Sequence, residues 1–188
     1  FQMYVDGQPI FVDPGTYIYH CELESRNAFR RTENHNTVCI DGKDQSEMLG
    51  AFLWGRKAEC ELIDYSESQQ RVELTASHNG YAPVIHTRTY AFDGHAELSI
   101  TDRINNTNDN NKIQINYILA PNCQVKVEEK EIDIRAGSVN VKMIIDNLDA
   151  KIWIKDFQYS ATYGEQIVTR GIVIEAAAND TVVKMIVE

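Results

Sequence analysis

Long apolar runs, paired cysteines and an excess of basic residues are all missing from this 188-residue sequence. No stretch approaches the ~20 apolar residues that a membrane-spanning helix needs, and no basic and apolar leader opens the chain. The four cysteines form no CxxC pair, which disfavours a zinc ribbon or a thioredoxin-like site. A disulfide framework is disfavoured because a chain of this length does not need one. A formal net charge of -10 disfavours binding to nucleic acid, whose backbone is held mainly by Lys and Arg. The sequence therefore predicts neither a membrane protein nor a nucleic-acid-binding protein.

Several catalytic signatures are absent as well. The sequence contains no GxSxG elbow, no GxxxxGK[ST] loop, no HExxH and no GxGxxG. Carboxylates are plentiful, but a glycosidase pair is defined by a spacing in space that sequence does not give. The missing motifs therefore disfavour an α/β-hydrolase, a P-loop or dinucleotide-binding protein and an HExxH metalloprotease.

Strict alternation of apolar and polar residues is what the sequence does contain, almost from end to end. Asp6-Gly7 and Asp93-Gly94 are hairpin signals, Asp41-Gly42 repeats the device, and Asn79-Gly80 and Asn179-Asp180 are further predicted turns. The predicted strands flank Asp6-Gly7, end at Ile40, and then run over 59–65, 71–77, 86–92, 96–105, 112–119, 124–129, 131–135, 139–145, 151–159, 171–177 and 181–187. Ser46 to Lys57 is predicted to be a short helical or irregular excursion.

Many short strands with Gly and Asn/Asp turns predict an all-β fold, an antiparallel β-sandwich, and no linker divides residues 1–188 into more than one domain. Cys39 and Cys60 fall within alternating apolar runs and are expected to be small core residues. The chain opens at Phe1 in what reads as a strand, so we expect the domain to be truncated at its N-terminal edge.

Three segments hold the residues that could carry chemistry. Asp13-Pro14-Gly15 precedes Tyr17, Tyr19 and His20; an Asp before Pro-Gly is also good turn chemistry by itself. Residues 26–38 (RNAFRRTENHNTV) concentrate groups that bind carboxylates, hydroxyls or a metal, although a polar loop braced by hydrogen bonds explains them equally well. For the third segment, His78 to Tyr81 with His86 and Arg88, a structural role is favoured.

The succession of DPGTYIYH, RNAFRRTENHNTVCIDGKDQSE, GAFLWGRKAE and SHNGYAPVIHTRTY resembles the heparinase II/III-like family of bacterial polysaccharide lyases. The likeness is densest from Phe1 to about Arg88, and the later strands agree in type only. It implies a two-layer supersandwich, the C-terminal accessory domain of a lyase whose N-terminal domain is a helical (α/α) toroid. Such lyases cleave uronic-acid-containing polysaccharides, glycosaminoglycan or alginate among them, by β-elimination.

The resemblance also implies roles for individual residues. Catalytic residues are expected upstream, in the toroid and in an HGHxD-like strand, so the isolated chain should be inactive although the whole protein is a lyase. A structural metal, often zinc, is implied with Asp13 and His35 as ligands and a third ligand, a His, in that upstream strand. Tyr17, Tyr19, Arg26, Arg30 and Asn36 are candidates for lining the substrate cleft.

The implied partners are an acidic polysaccharide and the helical toroid of the same protein, with a periplasmic or extracellular setting favoured by the substrate class. The alternative is a non-catalytic sandwich that binds carbohydrate or braces a neighbouring domain, because a fold by itself does not determine a function. The sandwich of a glycoside hydrolase or phosphorylase is disfavoured by the order of the motifs.

Overall fold

The computed structural model describes residues 1–108, 111–176 and 180–188, and in this part of the chain β-strands predominate. The fourteen strands are β1 Met3–Val5, β2 Gln8–Phe11, β3 Val38–Ile40, β4 Cys60–Glu67, β5 Val72–Tyr81, β6 Val84–Phe92, β7 Glu97–Asn105, β8 Ile113–Ile118, β9 Gln124–Glu128, β10 Glu131–Ala136, β11 Val139–Asp146, β12 Lys151–Tyr159, β13 Ile167–Ala176 and β14 Thr181–Val187. One short helix, α1, spans Leu23–Ala28, and a 3-10 turn spans Thr32–Asn34. Neither helical segment is long enough to cross a membrane.

The strands form two main sheets and a small hairpin. The large sheet has the order β4-β5-β6-β7-β14-β11-β10-β9, the small sheet has the order β12-β13-β8-β3, and β1 pairs with β2 alone. Every ladder within these sheets is antiparallel. The predicted antiparallel β-sandwich is therefore confirmed.

The core lies between the two sheets and draws on the whole length of the chain. It includes Ile10 of β2, Ile100 of β7, Tyr117 of β8, Ile174 of β13 and Met185 of β14, each fully buried. The alternation read from the sequence explains this layer, since residues two apart on a strand point to the same face. Burial of each large apolar side chain contributes roughly 1.5–3 kcal/mol.

The inner face of the large sheet is not buried across its whole width. Cross-strand neighbours share a face, so Tyr65, Leu74 and Tyr90 lie in one row with the fully buried Ile100. Burial falls along that row until Tyr65 on β4 is 52% exposed, and Leu62 on the same strand is 61% exposed. The described residues thus leave the β4 end of an apolar face open.

Several local predictions were wrong. Asn79 and Gly80 lie inside β5, where the register shifts between His78 and Tyr81, and the reversal comes at Ala82-Pro83 instead. Cys60 is exposed because β4 is an edge strand, whereas Cys39 is buried as expected.

The short helix α1 was not predicted, because its six residues bury no apolar side chain and so leave no periodic signal. Residues 46–57 form the irregular alternative, with one bridge between Met48 and Trp54. The predicted final hairpin does not form, since β13 and β14 belong to different sheets. Asn179, half of its predicted turn, lies outside the described residues.

Candidate functional site

Asp13 is held in a tight turn just beyond the end of β2. Its Oδ1 accepts the backbone N–H of Gly15 at 3.0 Å, a local bond that aspartate makes readily in turns. Gly15 has φ +82°, and a Cβ there would lie 2.1 Å from the carbonyl oxygen of Ser160. Only glycine fits this approach, and the turn fixes the second carboxylate oxygen of Asp13 toward the 3-10 turn.

His35 follows that 3-10 turn and meets Asp13 across 22 residues of sequence. Its Nδ1 donates to Oδ2 of Asp13 at 2.8 Å, and its Nε2 faces the carbonyl oxygen of Phe29 at 3.1 Å. Partial burial opposes ionisation of Asp13, but the hydrogen bond and charge of His35 prevail and lower the pKa of Asp13 below its ordinary value. The structure thus brings together the two residues that were predicted as metal ligands.

The Asp13–His35 pair opens into a pocket of about 360 Å³. The pocket is also lined by Phe1, Gln45 and His78, among others. Among the residues that the structure describes, no group of three or more His, Cys, Asp or Glu side chains is arranged to hold a metal ion. Asp13 and His35 by themselves are fewer side chains than a structural metal site uses, so their predicted role as metal ligands stays a prediction.

Asn36 follows His35 in the chain and is buried. Its Nδ2 donates to the carbonyl oxygens of Phe1 at 2.8 Å and Val12 at 2.9 Å, and its Oδ1 accepts the N–H of Ile118 at 2.6 Å. Both amide hydrogens are used inside the protein, which favours a bracing role. The predicted contact of Asn36 with substrate stays a prediction.

A second, deeper network links strands β5, β6 and β7. The carboxylate of Asp102 on β7 accepts hydrogen bonds from Nε and Nη2 of Arg88, at 2.6 Å and 2.9 Å. It accepts a third from Nε2 of His86 at 2.6 Å. Nδ1 of His86 accepts Nε2 of His78 at 3.0 Å. Burial opposes ionisation of Asp102, yet the charge of Arg88 and these hydrogen bonds lower its pKa to about 2.

The proton positions in this network follow from its first donor. The backbone N–H of Gly80 donates to Nδ1 of His78 at 3.1 Å, so that nitrogen is unprotonated and Nε2 carries the hydrogen. His86 then accepts at Nδ1 and donates from Nε2 to Asp102. The hydrogen-bond pattern gives each imidazole one ring proton, and desolvation by burial is the largest of the causes that lower the pKa of His78 to about 4.

Tyr19, Phe52 and Tyr163 form an exposed aromatic surface beside the turn of Asp13. The ring centroids of Tyr19 and Tyr163 are 5.1 Å apart and those of Tyr19 and Phe52 are 6.4 Å apart. The guanidinium of Arg26 lies 5.8 Å from the Tyr19 ring centre. The ring of Tyr17 instead packs on Phe29 at 5.5 Å. We call Tyr19, Phe52, Tyr163 and Arg26, together with Arg30 and Trp54, the aromatic–arginine surface.

Arg30 occupies the edge of this surface. Its guanidinium stacks 4.0 Å from the ring centre of Trp54, while Nη1 donates to Gly50 O at 2.7 Å and Asn27 Oδ1 at 3.1 Å. Nε and Nη2 of Arg30 are buried without a hydrogen-bond partner. Burial, followed by the nearby charge of Arg26, lowers the pKa of Arg30.

Sequence reasoning missed Asp102, Trp54 and Tyr163. A signal for Asp102 was present, because it shares the phase of Ile100 and Ile104 on an alternating strand whose apolar positions point inward. A carboxylate in that phase must be buried and paired. Trp54 and Tyr163 carried no such signal, since their proximity to Arg30 and Tyr19 arises from the tertiary fold.

The chain is similar to known proteins both in sequence and in structure. Residues 1–184 match the family model for the heparinase II/III-like C-terminal domain. A heparin-sulfate lyase from Bacteroides stercoris is 28% identical over 95 residues, which cover 45% of this chain and 14% of that lyase. A heparinase III structure with methylated lysines superposes with a TM-score of 0.85 at 16% identity, and the heparan sulfate lyase HepC from Pedobacter heparinus with 0.82 at 16%.

The two structures share the fold of this chain along almost its entire length, covering 100% and 99% of it. The chain in turn covers 29% of each of those two proteins, which are therefore much longer. With the family model matching nearly every residue, the chain belongs to the heparinase II/III-like family, as its C-terminal domain.

Proposed function

We propose that this chain is the sandwich domain of a lyase that cleaves uronic-acid-containing polysaccharide by β-elimination. The observation that carries the proposal is the Asp13–His35 pair at the mouth of the pocket, in a chain of this family. The curated relative is a heparin-sulfate lyase, which makes a sulfated uronate polysaccharide the first substrate to test.

The role of the chain follows from what β-elimination requires. A base takes the proton beside the uronate carboxyl group at C5, the bond from C4 to the glycosidic oxygen breaks, and that oxygen takes up a proton from an acid. Positive groups near the carboxylate make the C5 proton removable. We expect the base and the acid to come from outside this chain, which contributes substrate-binding groups and a stable wall of the cleft.

The residues of the pair suit a structural zinc ion. Aspartate oxygen and imidazole nitrogen are both zinc ligands, and Asp13 Oδ2 and His35 Nδ1 already lie 2.8 Å apart. Nε2 of His35 faces the Phe29 carbonyl oxygen, the type of outer bond that orients a ligating histidine. We expect the third ligand from a histidine that precedes Phe1, because Phe1 lines the same pocket. The ion would hold the loop between its two ligands in place.

The aromatic–arginine surface is our proposed binding surface for the sugar chain. Exposed rings such as Tyr19 offer flat apolar faces to sugar rings, and the cation of Arg26 suits carboxylate or sulfate groups. Arg30 would contribute its positive charge and hold the Trp54 ring in place. Tyr17 contributes indirectly, because its ring packs on Phe29, whose carbonyl oxygen faces His35. The two arginines make this surface positive by formal charge, in a chain whose overall charge is -10.

The open end of the large sheet is our proposed contact for a helical toroid domain. Leu62 and Tyr65 of β4 lie on the inner face, yet are more than half exposed. The opposite face of the same strands has polar rows such as Asp64, Thr75 and Thr89. A sheet with one apolar and one polar face normally buries the apolar one. The structures that share this fold belong to much longer proteins, which leaves room for such a domain.

The first test is ultraviolet absorbance during incubation with heparan sulfate, heparin and alginate. Elimination leaves a C4–C5 double bond that absorbs where the substrate does not. We expect signal from the longer protein and none from this chain by itself. Absence of signal from both, together with tight sugar binding by the chain, would replace the lyase by the carbohydrate-binding module.

A matched pair of variants tests the binding surface. Tyr19→Ala should weaken the binding of a heparan oligosaccharide, because it removes a ring that is proposed to pack on a sugar. The stability of the fold should change little, since the ring is 49% exposed. Tyr4→Ala removes a ring on the β1–β2 hairpin that is somewhat more exposed, at 58%, and should leave binding unchanged. Equal effects of the two substitutions would remove the aromatic–arginine surface from the proposal.

A further inference from the structure

Arg88 connects the deep network to the metal-ligand pair. Two of its nitrogens bind the carboxylate of Asp102, and the third, Nη1, donates to the backbone carbonyl oxygen of Asn36 at 2.7 Å. Arg88 and Asp102 are 7% and 1% exposed. A guanidinium bound at all three nitrogens in a buried site has little freedom to move.

Asn36 links Arg88 to both Asp13 and His35. Asn36 follows His35 directly, so the Arg88 contact fixes the peptide between Asn36 and Thr37, one residue beyond that ligand. Its side chain donates to the carbonyl oxygen of Val12, the residue just before Asp13. One buried asparagine is thus bonded next to each ligand, and Arg88 holds that asparagine in place.

The deep network is itself fixed at its other end. Asp102 receives a third hydrogen bond from His86, whose tautomer is set by His78 and, through it, by the Gly80 N–H. Every polar atom of this relay has one defined donor or acceptor role. A fully paired buried network of this kind specifies a single geometry, because any shift leaves a buried group without a partner.

We propose that Arg88, held by Asp102 and His86, is the positioning residue for the Asp13–His35 pair. The inference rests on the proposed metal site for its purpose, but the contacts that it describes exist without the metal. The Arg88–Asp102–His86 network thereby gains a role, although Asp13 and His35 are not hydrogen-bonded to its side chains. Arg88 acts through Asn36 and contacts neither an ion nor a sugar.

The test uses the 188-residue chain labelled with ¹⁵N-histidine. The readout is the Nδ1–H signal of His35, which its bond to Asp13 protects from exchange and which an Asp13→Ala variant identifies by its loss. Arg88→Lys keeps a cation beside Asp102, but one ammonium group does not reach Asp102 and Asn36 O together. We expect this variant to lose or broaden the His35 signal. In the longer protein, which carries the expected third ligand, the same substitution should weaken Zn²⁺ binding, titrated calorimetrically, about tenfold.

Thr169→Val is the matched control. It removes another buried hydrogen bond, from Oγ1 to the carbonyl oxygen of Leu119 at 2.8 Å, far from the pair in sequence. It should destabilise the chain without changing the His35 signal or zinc affinity. A His35 signal and zinc affinity in Arg88→Lys within twofold of the parent chain would overturn the inference.

Asn36→Ala protects the test against a variant that does not fold. It leaves the Arg88–Asp102 ion pair intact while removing the bond to Val12, and we expect the same loss of the His35 signal. An unchanged signal there contradicts the inference. Failure of the longer protein, which carries the expected third ligand, to bind Zn²⁺ would instead contradict the proposed metal site, and the His35 signal of the 188-residue chain would still decide the positioning role.

Discussion

The two ends of the large sheet share one pattern of alternation but differ in what covers them. Near β11 and β14 the inner face is buried, with Met143 and Val183 fully inaccessible, whereas on β4 Leu62 is 61% exposed. The boundary between them carries the Arg88–Asp102 pair. Alternation in the sequence therefore shows that a sheet face is suitable for burial, but it does not show which part of the protein buries that face. In this sheet, hydrogen-bonded polar groups lie where the buried part of the inner face ends.

The largest expected effect is at this boundary. Asp102→Ala leaves the buried guanidinium of Arg88 without its counter-charge, so we expect the free energy of unfolding to fall by about 3–5 kcal/mol in urea denaturation. Ser99→Ala, on the opposite face of the same strand, should change it by less than about 0.5 kcal/mol. A loss below about 1 kcal/mol for Asp102→Ala would mean that the boundary network contributes little.

Alanine substitutions at the two ends compare the covered and the open face directly. Met143→Ala leaves a cavity in the covered half, and we expect it to cost about 2–5 kcal/mol. Leu62→Ala on β4 should stay within about 0.5 kcal/mol, because its side chain is already exposed to solvent. Similar losses at both positions, measured by urea denaturation, would show that β4 is buried in solution.

Acid should destabilise the chain through His78, whose imidazole is part of the Arg88–Asp102 network. The pKa of His78 is lowered to about 4 in the folded chain, chiefly by desolvation, against an ordinary value of 6.5. The unfolded chain therefore binds more protons between these values, and stability falls as the pH decreases from about 6.5 to about 4. We expect a loss on the order of 1–2 kcal/mol, reduced by solvent screening because His78 is only partly buried.

The pH dependence has its own matched control. His78→Gln should flatten the stability profile over this window when unfolding is followed at several pH values. His95→Gln, at an exposed turn position, should leave the profile as it is. A profile of the same steepness in His78→Gln would assign the acid sensitivity to another group.

The smallest effect on stability is expected for a double substitution of Leu62→Thr and Tyr65→Thr. Threonine suits an exposed strand, so the free energy of unfolding should change by less than about 0.5 kcal/mol. Self-association of the chain, measured by sedimentation, should decrease because less apolar surface is exposed. Unchanged sedimentation would remove the reason to expect a partner on this face.

The strands were predictable because each carries its own local signal. Asp6 and Gly7 illustrate this, since their φ values of 48° and 75° are those that the Asp-Gly pair indicated for the first hairpin. Which strands pair was not predictable beyond such hairpins. The separation of β13 from β14 depends on packing across the whole chain, and alternation is identical for either arrangement.

The candidate site was predictable in part. Asp13 and His35 were named through resemblance, and the fold brings their side chains to 2.8 Å. Asn36 was named for the substrate, while its bonds lead into the protein, because a residue's direction depends on a register that sequence does not give. The roles predicted for Tyr17, Tyr19, Arg26 and Arg30 stay predictions for sugar-binding experiments.

The contact between Asp13 and His35 also closes a ring of chain. The residues between them include α1 and the cations Arg26 and Arg30, and the ends of this segment meet at one point. A link that closes a long loop removes conformational entropy from the open form of that loop. An ion at this point would act as a reversible cross-link, so its removal should first lower the affinity for sugar and only later affect the sandwich beneath.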